Sequence, residues 1–397
     1  MLRCGSSSPE GNRRWRCGAP LLALFILLVC AISPPQLQAV PFVPESSSTA
    51  LLKRHYPVPV STGVADQLAT PAERVKRARA YVQYAMESKD PSFYSSARKL
   101  LAPWWDLGEV DPEIRLLRAM IKQHQHRFDE ALADLTILLQ HNNRHVQARI
   151  SRAAVFLAAG NVRASRRDCE ALALQADPVL VINCLAQSLG LMGNAAPLEK
   201  SLQQLLSRAS VQGTSQYWEL LNTLSELYLI QGKVGEAEEA LLQLLQHQPD
   251  SRYAQEQIIH LLHAGERYVE LYEFTATGNS FLMKLYRAVA LTRLGRQQSN
   301  EYQALLEDIR QDKQLLEQAP PREAAKSLAQ YYFFIEQDPV KAQVYAERNW
   351  RTQKTVIDAL ILLRIAAVDS VDSVKAWKSA AAIQDVRLDR ALRAAGV

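Results

Sequence analysis

Four of the eight histidines fall between Ile121 and His145, as an H-x-H pair, His124 and His126, and an H-x-x-x-H pair, His141 and His145. Imidazoles two or four residues apart can face one ion, so the spacing raises zinc-type chemistry. The answer depends on what separates the pairs. A helix over Phe128 to Gln140 spans roughly 20 Å and would hold them apart. His247 takes the place of His141 further along the chain, which marks that place as a solvated loop. The expectation is surface histidines and no metal, with a two-ligand site finished by other residues as the alternative. His260 and His263, one helical turn apart, form a pair without a third ligand.

Other chemistry lacks its motifs. G-x-S-x-G, H-E-x-x-H, C-x-x-C and G-x-G-x-x-G are absent, and Gly232 to Gly235 lacks the Gly-Lys-Ser/Thr ending of a phosphate loop. Glu236, Glu238 and Glu239 form a charged run that reads as a solvated helix face. No enzyme activity and no cofactor are expected.

The elements that carry these residues are helical by composition. The 397 residues include only 15 glycines and 7% aromatics, beside long runs of Ala, Leu, Gln, Glu and Arg, which predicts an all-α chain. Residues 1–39 read as an export segment: Arg3, Arg13, Arg14 and Arg16 precede the apolar run Leu21 to Ile32, and cleavage is expected after Ala39. The alternative is an uncleaved inner-membrane anchor at 21–33. Loss of the segment removes four arginines and one glutamate and leaves about +2 of the formal +5. That balance argues against nucleic-acid binding. No membrane span is expected after the segment. Cys169 and Cys184 would then be the only cysteines left, able to pair in an oxidising compartment or to pack as small apolar residues.

Residues 40–72, with five prolines and a Ser/Thr cluster, predict an extended leader. Beyond it the pattern repeats, most clearly at residues 217–250. There Leu221, Leu224, Tyr228 and Leu229 stripe one helix, Gly232 breaks it, Ala237, Leu241, Leu244 and Leu245 stripe a second, and Pro249 stops it. Weaker copies precede it at nearly the same period, with 34 residues from Ala97 to Ala131 and from Ala119 to Ala153. The unit resembles the tetratricopeptide repeat, a pair of antiparallel helices with a small residue at their contact. The resemblance implies a right-handed superhelical solenoid over 73–250, with a degenerate continuation over 251–397.

A single hairpin cannot bury its apolar face, so such units stack, and family members use the concave surface to hold peptides or proteins. In that register Asn183, Gln187, Glu219, Asn222 and Glu226 fall on inner helices and are candidates for bonding a partner's backbone. Lys and Arg partners of a carboxylate clamp are missing beside the Asn. Arg149 and Arg152, crowded with Arg144, Arg163, Arg166 and Arg167, are candidates for an acidic partner. Alternatively, these arginines cover apolar surface with their stems. Trp104 and Trp105 are expected to pack one end of the solenoid, and Trp350 and Trp377 the other, with a sugar or peptide platform at the first pair as the sharper reading. Together these features imply an exported bacterial scaffold that binds a protein or peptide in the periplasm or cell envelope. The alternative is an enzyme or metal-binding protein with its site in the C-terminal third.

Overall fold

The computed structural model describes residues 70–395 apart from 89–91, 209, 250, 277 and 366–367. The expected export segment and nearly all of the leader lie outside the described residues, and every regular element among these is a helix.

The helices come in successive pairs joined by short turns. α1 (Pro71–Ser88) pairs with α2 (Ser92–Leu100), α3 (Pro112–His124) with α4 (Phe128–His141), and α5 (Val146–Ala158) with α6 (Val162–Glu170). α7 (Pro178–Leu189) is followed by α8 (Ala195–Leu206), α9 (Ser215–Gln231) by α10 (Val234–His247), α11 (Arg252–Ala264) by α12 (Tyr268–Ala276), and α13 (Phe281–Arg293) by α14 (Asn300–Gln318). The C-terminal part holds α15 (Pro321–Tyr331) with α16 (Pro339–Thr352), α17 (Val356–Ile365) with α18 (Val368–Ala381), and the short α19 (Val386–Ala394).

The starts and stops follow from local chemistry. Asp111, Asp177 and Asp338 each precede a proline and accept a first-turn backbone N–H, at 2.8, 2.8 and 3.0 Å. Proline suits that place because its missing N–H would have had no helical partner. Gly232 closes α9 in the left-handed region at φ 74°, which costs glycine little. Between the helices, Ala119, Ala131, Ala237 and Ala254 are fully buried, and their small size lets the helices approach.

α7 and α8 together read as an apolar stretch long enough, by length and composition, to cross a membrane. They are not one rod. Gly193 at φ 91° breaks the helix between them, leaving two segments of 12 residues, each about 18 Å long and short of the ~30 Å of a bilayer core.

In a simple stack each hairpin touches only its neighbours. This chain departs from that rule, because its C-terminal part returns to the turns of the central hairpins. The Lys354 backbone N–H donates to Ala158 O at 2.8 Å, and Trp377 Nε1 donates to Gly160 O at 3.0 Å. The Gln384 backbone N–H donates to Leu191 O at 2.7 Å, and Arg387 Nη2 donates to Glu226 Oε1 at 2.7 Å. The turns after α5 and α7 and the later part of α9 are thus covered in order by residues 354–387. One apolar cluster accordingly runs from Val162 through Leu224 and Leu227 to Trp350, Val374 and Leu388.

Candidate functional site

Arg149 and Arg152 stand on α5 and face Asp168 of α6, whose side chain is almost fully buried. Arg152 grips both carboxylate oxygens at 2.7 Å, while Arg149 reaches one at 3.3 Å and also donates to Asn143 O. Their donors are engaged within the chain, where they tie the two helices of a hairpin together. The same device occurs one repeat earlier. Arg115 and Arg118 on α3, joined by Lys122, converge on buried Asp134 of α4. Each member of the triad Arg115, Arg118, Asp134 is matched 34 residues on by Arg149, Arg152, Asp168. The signal was visible in the sequence as a register, which the crowding of arginines around 144–167 obscures.

Arg118 does more than pair with Asp134. Its Nη1 donates to the carbonyls of Trp104, Trp105 and Leu107, each at 2.9 Å, and so pins the insertion after the first hairpin. Trp105 is buried there, with Arg98 4.9 Å from its ring centre. At the other tryptophan pair, Trp350 and Trp377 meet edge to face at 5.1 Å.

Asn183 and Glu219 come together. A small cleft between the first turns of α7 and α9 is lined by Val179, Leu180, Asn183, Gln216, Glu219 and Leu220. Glu219 lies exposed at its rim, whereas Asn183 Oδ1 is buried without a hydrogen-bond partner. Such an orphan acceptor costs about 1–3 kcal/mol and is satisfied when a donor arrives. Gln187 and Asn222 are half-buried one turn further along. Glu226 is engaged by its own chain, accepting from Arg387 Nη2 and from the Tyr253 hydroxyl. Arg387 is itself shared with buried Asp385, the N-cap of α19. Burial pushes the Asp385 carboxyl up despite the pull of Arg387.

Beside Asn183, Cys184 of α7 is bonded to Cys169 of α6, with the Cα atoms 5.5 Å apart. The bridge fastens one hairpin to the next and fixes α7 at the cleft. It closes a loop of sequence separation 15, for which chain entropy alone corresponds to about 3 kcal/mol. The Cys169→Ser, Cys184→Ser variant is therefore expected to unfold at lower urea by about that free energy. Equal midpoints for reduced, oxidised and variant protein would show that the bridge constrains nothing.

The two opening histidine pairs lie at opposite ends of α4, as its length requires. Among the described residues no group of three or more His, Cys, Asp and Glu could hold a metal ion. The expectation of a solvated surface fails for several of them. His124 stacks on Tyr94 at 4.2 Å, His126 packs against Phe128, and His247 stacks on Trp218 at 3.9 Å. The reason is that the ends of the helices meet aromatic residues of adjacent elements, and imidazole is apolar enough to be buried there when neutral. Burial, with His126 and Arg252 nearby, lowers the pKa of His124 to about 4. Burial, with Arg364, His260 and Arg293 nearby, lowers that of His263 to about 3. Next to it, His260 and Lys326 meet Glu256, whose carboxyl burial would raise but which the Lys326 ammonium and the hydrogen bond with His260 bring to about 2.

These imidazoles make the fold acid-sensitive. Their folded pKa values lie below the ordinary 6.5, so between about pH 6.5 and 4 the unfolded chain binds protons that the folded chain does not. The contribution of these groups is complete above pH 6.5 and falls as the pH drops, by at most about 1.4 kcal/mol per pH unit for each and by less for the partly buried His124 and His263. The loss levels off only below about pH 3 to 4, where the folded groups protonate. Urea midpoints between pH 7.5 and 4.5 test this. His263→Phe, placed among Tyr286, Tyr268 and Phe334, is expected to flatten the slope, and an unchanged slope would remove His263 from the account.

No family model and no curated protein matches the sequence. Among solved structures, the human IFIT1 dimer with m7Gppp-AAAA is similar, at 14% identity over 88% of this chain and 87% of that one, with a TM-score of 0.43. The Cut9–Hcn1 hetero-tetramer of the APC/C is 12% identical over 88% of each chain, with a TM-score of 0.38. A tetratricopeptide repeat protein from Parabacteroides merdae is 12% identical over 74% of this chain and 97% of that one, with a TM-score of 0.32. Likeness this distant says nothing about what the chain binds. By their pairing and 34-residue register, the described helices form a tetratricopeptide-like helical-repeat array whose C-terminal helices return to its central turns.

Proposed function

We propose that this chain is an exported, non-catalytic scaffold that binds an extended segment of another protein in the periplasm or cell envelope. The contact lies along the first turns of α7 and α9. The observation that carries this reading is a cleft between two helices of the inner register, lined by Asn183, Gln216 and Glu219, in which the Asn183 Oδ1 is buried and unpartnered. Turning of the Asn183 amide into the cleft presents that oxygen to a backbone N–H of an extended peptide. The contacts of α19 fall on later turns of α9, at Glu226 and Gly232, and leave the cleft uncovered. Export is supported by the charged and apolar pattern of residues 3–39 and by the Cys169–Cys184 bridge, since such bonds persist in oxidising compartments.

The test is a photo-crosslinking residue at Gln216, compared with one at Gln246 on α10, in envelope extracts. A discrete adduct at 216 alone, lost with Asn183→Leu, is expected. Crosslinks that are equal at both positions, or indifferent to Asn183, would sink the cleft as the binding surface.

A further inference from the structure

α19 is held to the rest of the chain by Leu388 and Leu392 against the apolar cluster, by the Asp389–Lys378 pair at 3.0 Å and by Arg387. Of its nine residues only Leu388 is fully buried, and Val386 remains 37% exposed while lying over Gly232. A Cβ at Gly232 would come within 2.9 Å of Val386 Cγ2, so the glycine is what lets the helix approach α9 so closely. The polar anchor is Arg387, which donates to Glu226 of α9 at 2.7 Å and to Asp385 at 2.6 Å. Tyr253 of α11 donates to the same Glu226 carboxylate. Arg387 Nη1 is nevertheless buried with no acceptor. A short helix with one fully buried apolar side chain and an incompletely satisfied guanidinium belongs to the low-stability end of a fold, where local opening is frequent.

The surface beneath α19 is better formed than its occupant. Glu226 and Tyr253 come from two successive hairpins of the central array, and Leu388 is seated in the same apolar cluster as Leu224 and Leu227 of α9. Opening of α19 leaves the half-buried Glu226 carboxylate and the apolar seat of Leu388, on a helix whose glycine end admits close approach. Its complement is a guanidinium followed by a branched apolar side chain, the pair that Arg387 and Leu388 now supply.

We propose that Glu226, Tyr253 and the adjoining face of α9 form a recognition surface for an amphipathic helix bearing an Arg-Leu pair. In the free protein α19 occupies that surface as an intramolecular stand-in. A partner helix with a longer apolar face displaces α19, because Leu388 is the one fully buried residue of the resident helix. The site is separate from the α7–α9 cleft and does not depend on it.

The probe is a fluorescent peptide with the sequence of residues 383–395, titrated against the full chain. Leu388→Asp weakens the resident helix in place and is expected to raise the affinity for the peptide at least tenfold over wild type. Adding Glu226→Gln, or changing the peptide arginine that matches Arg387 to alanine, is expected to abolish that gain. Asn183→Leu is expected to leave it intact, which separates this surface from the cleft. Amide exchange in the unaltered protein provides the second reading and does not require the variant to fold. Amides of α19 are expected to exchange at least a hundredfold faster than those of Leu224 to Tyr228. Equal peptide affinity with and without Leu388→Asp, binding indifferent to Glu226, or exchange in α19 as slow as in α9 would each overturn the proposal.

Discussion

Asp134→Ala is expected to lower the unfolding free energy by about 4 kcal/mol, since removing one partner of a buried ionic cluster leaves uncompensated charge. Asp134 is 3% exposed, and Arg115, Arg118 and Lys122 around it are between 4% and 7% exposed. Its two oxygens accept from all three cations. Without the carboxylate, three cationic groups keep their burial and lose their only shared counter-ion. Arg118 would still hold the carbonyls of Trp104, Trp105 and Leu107, so the insertion should stay in place while the α3–α4 contact weakens. The control is Glu170→Ala, which breaks the exposed Arg166–Glu170 pair and should cost no more than about 0.5 kcal/mol. Urea denaturation of both variants measures the difference. A loss below about 1 kcal/mol for Asp134→Ala would mean that the three cations find water or other acceptors, and that the cluster is not what joins the hairpin.

The contrast between these two pairs marks how much a sequence reveals of such a chain. Hairpin periodicity is legible because it is local: Leu221, Leu224, Tyr228 and Ala237 lie within one unit and answer to helical spacing alone. The Arg-Asp clusters are legible only in register, since the 34-residue match of Arg115, Arg118 and Asp134 with Arg149, Arg152 and Asp168 identifies them as hairpin ties. Without that register the same arginines suggest a basic docking patch. Asn183 and Glu219 could be placed on neighbouring inner helices from the repeat alone, but the buried orphan oxygen needed coordinates. Nothing local marks the return of the C-terminal helices. Trp377 and Gly160 are 217 residues apart, and no periodicity connects a tryptophan to the backbone carbonyl it will meet. Glu226 illustrates the consequence: its inner-helix position was legible, and its occupation by Arg387 was not.

That return carries the second large effect. Trp377→Ala is expected to cost about 3 to 5 kcal/mol, the range for removing a buried tryptophan. Trp377 is 9% exposed, meets Trp350 edge to face, and donates its indole N–H to Gly160 O. Its removal leaves a cavity between α18 and the turn after α5 and deprives a backbone carbonyl of its donor. The effect should also be visible in the shape of the unfolding curve. A stack of hairpins coupled only to neighbours unfolds in parts, whereas contacts between residues 354–388 and the central turns couple distant segments into one transition. Wild-type protein should therefore lose helix in a single step, with circular dichroism and tryptophan fluorescence coincident. In Trp377→Ala the C-terminal helices are expected to release first, giving non-coincident curves and early proteolytic cleavage beyond α16, with amide protection in α9 kept. A variant that stays single-step and proteolytically intact would show that the backbone contacts of Lys354 and Gln384 hold the return without the indole.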